Sequence, residues 1–202
     1  YFECGGKMFE TEIFYASERI ADEDIVNSAF IRTMQILKEY NNGNILIFLS
    51  GAYEIRTLCS ILEKHVDENV IIAPLYGALS KDEQQKALKK TVGNERKIVI
   101  ATNIAESSVT IDDIRFVIDS GREKRLVFSP DCGMDRLQTV RIAKSSAIQR
   151  AGRAGRTSDG IVYRLYTIFE YEGTADFPQP EIAFGSASSI LPVTSITSSL
   201  DI

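Results

Sequence analysis

The chain is poor in the residues that metal, disulfide and histidine chemistry need. Its 202 residues contain three cysteines and one histidine. Cys4, Cys59 and Cys132 are odd in number and far apart, so they offer neither a disulfide framework nor a metal-ligand spacing, and they fit a reducing compartment. His65 stands alone, assembles no Ser-His-Asp set and reads as a helix-surface residue. Asp22-Glu23-Asp24 and Asp112-Asp113 have no ligand-type spacing and read as caps and solvated turns. No apolar run approaches the roughly 18 residues of a membrane span, and no basic-then-apolar leader opens the chain. The start at Tyr1, without Met, suggests a piece of something longer. Gly5-Gly6-Lys7 is not a phosphate loop, because Met8 stands where Ser or Thr should follow the lysine.

What remains is an ordinary globular composition, 44% hydrophobic and 25% charged, long enough for one α/β domain with short appendages. The net charge is −5, but its distribution is uneven. Residues 122–164 hold ten Arg or Lys against four Asp or Glu, a local +6 that leaves −11 on the rest. A basic zone on an acidic body is the electrostatic footprint of a polyanion site; a merely solvated loop is the alternative.

In chain order, Glu12 to Tyr15 reads as a short strand. Asp22 to Tyr40 shows a helical apolar period ending in Asn41-Asn42-Gly43. Ile45 to Leu49 is a continuous apolar run of the kind a doubly buried parallel strand needs. A helix with Ile55, Leu58, Ile61 and Leu62 on one face follows Ser50-Gly51. The unit then repeats: a strand at Val70 to Leu75, and a helix capped by Ser80 with Glu83 at the capping-box position. Further strands are expected at Lys97 to Ala101, Arg115 to Asp119 and Ile161 to Tyr166. Such alternation implies βαβ crossovers and a mostly parallel sheet, with ligands at the carboxyl ends of the strands. Between Lys124 and Ile142, two short runs flank Pro130-Asp131-Cys132-Gly133 and predict a protruding β-hairpin. The serine-rich Ser186 to Ile202 has weak periodicity and no assigned structure.

Two strings carry chemistry. Gln149-Arg150-Ala151-Gly152-Arg153-Ala154-Gly155-Arg156 sets three arginines at a spacing of three. Arginine presents a planar, permanently charged fork that matches phosphate oxygens, and the glycines allow tight turns and close approach. This suits a transferring phosphoryl group, with Arg153 and Arg156 as arginine fingers and Gln149 orienting the attacking water. A solvated basic turn is the bland alternative. The second string runs from Ala101 to Asp112 (ATNIAESSVTID) and places hydroxyls and amides directly after a strand, where they can donate to phosphate. Its alternative is an ordinary strand-to-helix cap.

Together these strings resemble a known family. The arginine string resembles motif VI of superfamily 2 helicases, in the form carried by the DEAH-box RNA helicases, and Ala101 to Asp112 resembles their motif V (A-T-N-I-A-E-T-S-L-T-I-D). Ile45 to Gly51 resembles motif IV (L-I-F-L-T-G), and Leu75 to Ser80 with Gln84-Gln85 resembles the neighbouring L-Y-G-S-L-P…Q-Q segment. A hairpin between motifs V and VI is a further family feature. The resemblance covers roughly residues 10–182.

It implies a RecA-like α/β domain over residues 1–182, with helices on both faces of the sheet, and a tail at 183–202 that starts a following domain. It implies Gln149, Arg153 and Arg156 as catalytic residues, and Asp112, Arg150 and Gly152 at ATP. Ser50, Gly51, Thr102, Asn103 and Thr110 would meet the RNA backbone, Glu106 would support the loop, and Lys124, Arg125 and Arg136 would be the hairpin contacts. No G-x-x-x-x-G-K-[ST] and no D-E-A-H occurs, so the resemblance puts the ATP phosphate cradle and the Mg²⁺ carboxylates on a preceding RecA-like domain. Alone, the chain is then expected neither to hydrolyse ATP at a useful rate nor to unwind RNA. The expected partners are RNA, that preceding domain, following helicase C-terminal domains and an activator protein, in nucleus or cytoplasm and without a membrane.

Two positions depart from the pattern. Leu88 stands where the family usually has a base-stacking Phe, and Arg122 stands where it has Phe after an Asp-Pro-Gly turn, here Asp119-Ser120-Gly121. Both leave open a catalytically silent RNA- or protein-binding module. A viral or DNA-directed helicase of the same superfamily is the third reading.

Overall fold

A strand buried on both faces needs an unbroken apolar run, and the centre of the main sheet is built from such runs. The computed structural model describes residues 9–178 apart from 92, 94, 108, 110, 112, 130–132 and 157. Among them, β2 (Asn44–Phe48) and β4 (Arg96–Ala101) are buried at every position. β5 (Ile114–Asp119) and β8 (Gly160–Arg164) are buried at all but one position each. The less buried β1 (Thr11–Tyr15) and β3 (Val70–Leu75) take the two edges. The order is β1-β8-β5-β2-β4-β3, and every pairing is parallel. The mostly parallel α/β architecture expected from the alternation is therefore the one observed.

Successive strand residues point to opposite faces, and the two faces have separate cores. On one, Ile45, Ile47, Ile98, Ile100, Phe116 and Ile118 pack against α1 (Ile25–Glu39) and α2 (Ala52–Leu62). On the other, Leu46, Phe48, Val99 and Val117 meet small residues: Ala87 of α3 (Lys81–Leu88), Ala105 of α4 (Ile104–Ser107) and Ala151 of α5 (Lys144–Ala151). Alanines at these contacts let short helices lie close to the sheet. A last helix, α6 (Ile168–Glu172), follows β8.

The expected hairpin is present as β6 (Arg122–Ser129) and β7 (Met134–Arg141), a two-stranded sheet of its own. It starts two residues before Lys124. Residues 125–138 group as a compact unit separate from the sheet domain. The turn at Pro130-Asp131-Cys132 and the tail beyond Pro178 lie outside the described residues. Other boundaries also differ. β8 ends at Arg164, short of the expected Tyr166, and α1 begins at Ile25 because Asp22 to Asp24 form the turn that leads into it. The capping box at Ser80 is formed: the Glu83 N–H donates to Ser80 Oγ, and the Ser80 N–H donates to Glu83 Oε2 at 3.0 Å.

Candidate functional site

Because the strands are all parallel, their carboxyl ends share one edge of the sheet. Residues from three strand ends converge there. β2 runs into Ser50-Gly51 and α2, β4 into Thr102-Asn103 and α4, and β5 into Ser120-Gly121 and the root of β6. Ser50 Oγ donates to Glu54 Oε1 at 2.8 Å, and Lys124 Nζ lies 3.4 Å from the same oxygen. A Cβ on Gly51 would stand 2.7 Å from Lys124 Nζ, so the lysine lies across the glycine. Three residues expected at RNA, from two separate stretches of sequence, are thus gathered beside one carboxylate. Asn103 is exposed, while Thr102 is half-buried and ties its N–H to Leu75 O at 3.2 Å. Arg136 is exposed on β7, and Arg125 lies on β6, both within the separate hairpin unit. Thr110 and Asp112 lie outside the described residues.

The arginine string runs from that edge towards the other. It starts in the last turn of α5 and ends where the chain turns into β8. Gly155, at φ +74°, packs against Phe9 and Glu10, at the start of β1. The Phe9 N–H donates to Gly155 O at 3.3 Å, and the Gly160 N–H donates to Glu10 O at 2.9 Å. A Cβ at Gly155 would meet Thr11 Oγ1 at 2.5 Å, so the turn requires glycine. Gly152 has ordinary helical geometry, and a Cβ there would meet only carbonyl oxygens at 3.5 and 3.6 Å.

The three arginines have different fates. Arg150 is fully buried. Its Nε donates to Glu106 Oε1 at 2.7 Å, and its Nη1 donates to Asp119 Oδ1 at 2.9 Å and Arg122 O at 3.2 Å. The guanidinium also sits 4.9 Å over the Phe48 ring. It was expected at ATP, but with 0% exposure it is closed to direct contact with a ligand. Arg153 is buried as well and donates to the carbonyls of Glu106 and Val109. Arg156 is exposed, with a single long bond to Gly152 O at 3.4 Å, and Gln149 is exposed beside the string.

The electrostatics follow this arrangement. Burial alone would lower the Arg150 pKa, but the Asp119 and Glu106 carboxylates more than reverse it, so the group stays charged. Burial lifts the Glu106 pKa above the usual carboxylate range, with Arg150 opposing. Burial and the neighbouring Arg156 charge lower the Arg153 pKa. Sequence reasoning missed Asp119. Its second oxygen accepts from Tyr166 Oη at 2.9 Å, and its first also accepts from the Gly121 N–H at 2.9 Å. The available signal was an acid closing an apolar strand, since a buried carboxylate needs partners. Glu54 was missed too, although Ser50 and Glu54 share a helical spacing of four.

The two departures have local explanations. Arg122 is buried, pairs with the exposed Asp22 at 2.6 Å and donates to Ser120 O and Ile20 O, so a hydrogen-bonded guanidinium stands where the family pattern has an aromatic ring. Leu88 packs half-buried against the small-residue core. An open groove of about 390 Å³ lies between β1, β8 and α1, but none of the expected site residues lines it. Among the described residues no three His, Cys, Asp or Glu gather to hold a metal ion, and no helix is long and apolar enough to cross a membrane.

Comparison with known proteins agrees with the strings. The family described as Helicase conserved C-terminal domain matches residues 28–158. The chain is 38% identical over 189 residues to the mouse protein named probable ATP-dependent RNA helicase DHX34, covering 88% of this chain and 16% of that one. It is 48% identical over 140 residues to the ATP-dependent RNA helicase HrpA of Borreliella burgdorferi, covering 69% and 17%. It is 40% identical over 188 residues to the pre-mRNA-splicing factor ATP-dependent RNA helicase prp22 of Schizosaccharomyces pombe, covering 90% and 16%. Among solved structures, the Escherichia coli DEAH/RHA helicase HrpB is similar at a TM-score of 0.77 and 37% identity, over 88% of this chain and 22% of that one. The chain therefore spans about a sixth of the length of the curated relatives it matches.

Proposed function

This chain belongs to the helicase conserved C-terminal domains of the DEAH-box family, with their RecA-like fold, and on that premise we propose that it is the second half of a shared ATP site and RNA track. In this reading ATP sits in the cleft against a preceding RecA-like domain. This chain closes over the γ-phosphate with Arg156, joined by Arg153 once its guanidinium leaves the carbonyls of Glu106 and Val109, while Gln149 orients the attacking water. The donors at the carboxyl edge, Ser50, Gly51, Thr102, Asn103 and Lys124, hold RNA by its backbone, with little base readout, and Thr110 is assigned to the same backbone from its place in the sequence string. Arg125 and Arg136, in the separate hairpin unit, are assigned RNA contacts of their own. No residue here is assigned to Mg²⁺, and the ion is assigned to the preceding domain. ATP supplies the phosphoryl group and the driving force for closure.

The observation that carries the reading is the division of labour along the arginine string. Of the three arginines, Arg156 alone combines exposure with a nearly uncommitted guanidinium, and it directly follows the turn that requires Gly155. Arg150 serves as the buried support of that turn, and Asp112 and Gly152 are assigned to the nucleotide's surroundings. The test is RNA-stimulated ATP hydrolysis by the longest natural polypeptide containing these residues, beside its Arg156→Ala variant. A finger of this kind is worth roughly 10³ to 10⁵ in rate. A loss of that order, with RNA binding and folding retained, supports the assignment, and equal rates would sink it. The isolated chain is expected to be silent in the same assay. No observation favours the silent binding module, because Arg122 and Leu88 are accommodated inside the fold.

A further inference from the structure

Glu54 occupies the middle of the proposed RNA grip, and nothing in the proposed function uses it. Its two oxygens face Lys124 Nζ at 3.4 and 3.5 Å, and Oε1 also accepts from Ser50 Oγ at 2.8 Å. Gly51 lies directly beneath the lysine. We propose that Glu54 is a built-in stand-in for an RNA phosphate, which must be displaced before Ser50 and Lys124 can take the backbone, and which thereby tunes grip and release. The proposal rests on the reading of Ser50, Gly51 and Lys124 as RNA contacts.

The chemistry makes the occupancy exclusive. A serine hydroxyl has one proton to donate, so Ser50 can serve Glu54 or a phosphate oxygen but not both. A carboxylate offers two anionic oxygens, as a phosphodiester does with its non-bridging pair, and it competes for the same charge-assisted bonds. With Glu54 in place the Lys124 charge is matched, so an approaching RNA gains little from that lysine until the carboxylate lets go. The exchange is feasible, because the Lys124 and Glu54 side chains remain 31% and 23% exposed and solvent weakens their attraction. The first turn of α2, where Glu54 sits, favours a carboxylate and keeps the competitor in place. A protein that must release RNA in every cycle needs a grip that is not too tight.

The experiment is equilibrium binding of a single-stranded oligouridylate to the longest natural polypeptide containing these residues, across a series of salt concentrations. Wild type is compared with Glu54→Gln, Lys124→Ala and the double variant. Lys124→Ala is expected to weaken binding and to reduce the slope of log affinity against log salt by about 0.7, the share of one phosphate on a single strand. Glu54→Gln keeps the length and an acceptor for Ser50 but frees Lys124. It is expected to tighten binding about two- to fivefold, the scale of an exposed ion pair, with the slope unchanged because Lys124 meets one phosphate in both proteins. The gain should vanish in the double variant. Glu54→Ala should tighten binding as well, which guards against an effect peculiar to glutamine. Thermal unfolding confirms that each variant is folded. If Lys124→Ala changes nothing, the RNA reading of this edge fails. If it weakens binding while Glu54→Gln does not tighten it, or tightens it equally without Lys124, the stand-in alone is overturned.

Discussion

At the scale of single residues, the two glycines of the arginine string do different work. Gly155 holds φ +74° against Thr11 and Phe9, a conformation and a space that no side chain shares. Gly155→Ala is expected to cost about 1–3 kcal/mol in denaturant unfolding, the range of a strained left-handed residue, and to displace Arg156. Gly152 has helical geometry and room for a methyl group. Gly152→Ala is expected to leave stability unchanged or raise it by about 0.4–1 kcal/mol, through a less flexible unfolded chain. If Gly152 lies close to ATP, the same variant slows hydrolysis in the longer polypeptide. Stable protein with normal hydrolysis would remove Gly152 from the nucleotide's surroundings.

At the scale of elements, the short helices α3 and α6 depend on their first turns. Each has a reciprocal capping box, Ser80 with Glu83 and Thr167 with Glu170. Hydrogen bonds from the Ser80 hydroxyl and N–H hold the Glu83 pKa below its usual value. For Glu170, partial burial pushes the pKa up, but the Thr167 N–H and Arg141 pull it down further. A carboxyl whose folded pKa is depressed contributes stability above its ordinary pKa of about 4.3 and loses it as pH falls through the folded value. Acid is therefore expected to loosen both helices below about pH 4. Glu83→Gln with Glu170→Gln should flatten that acid limb in a thermal-unfolding series, and an unchanged limb would show that the caps are not the titrating elements. Thr167→Ala alone is expected to cost about 1 kcal/mol at neutral pH.

At the scale of the whole sheet domain, the expected site residues lie on two edges, and Arg150 joins them. Its partners come from α4, from the end of β5 and from the root of β6, while the rest of its own string turns back to the start of β1. Asp119 extends the link to Tyr166, whose own pKa is raised by burial and by that carboxylate. Removing the arginine strands two carboxylates away from water. Arg150→Ala is expected to cost about 3–5 kcal/mol, the usual penalty for breaking a buried pair, with a lower denaturant midpoint. A loss under about 1 kcal/mol would mean that Glu106 and Asp119 reach water or other donors, and that the edges are not tied through Arg150.

The strands, the first three helices and the parallel sheet were legible in the sequence because their causes are local, whereas α5 and α6 were not read there. Ile45 to Leu49 and Lys97 to Ala101 are apolar without a break, Ser80 and Glu83 cap a helix three residues apart, and the hairpin has its own turn. The family was legible for the same reason, since its motifs are short contiguous strings. The roles within those strings were not. Arg150, Arg153 and Arg156 share a residue type and a spacing, yet one is enclosed, one is tied to loop carbonyls and one is exposed. That difference comes from partners far along the chain, at Glu106 and Asp119, just as Glu54 meets Lys124 across seventy residues. A local pattern can specify which residues carry charge. Burial and pairing depend on which distant segments the sheet brings together, so only the tertiary structure decided which charges are spent inside the fold and which remain for a ligand.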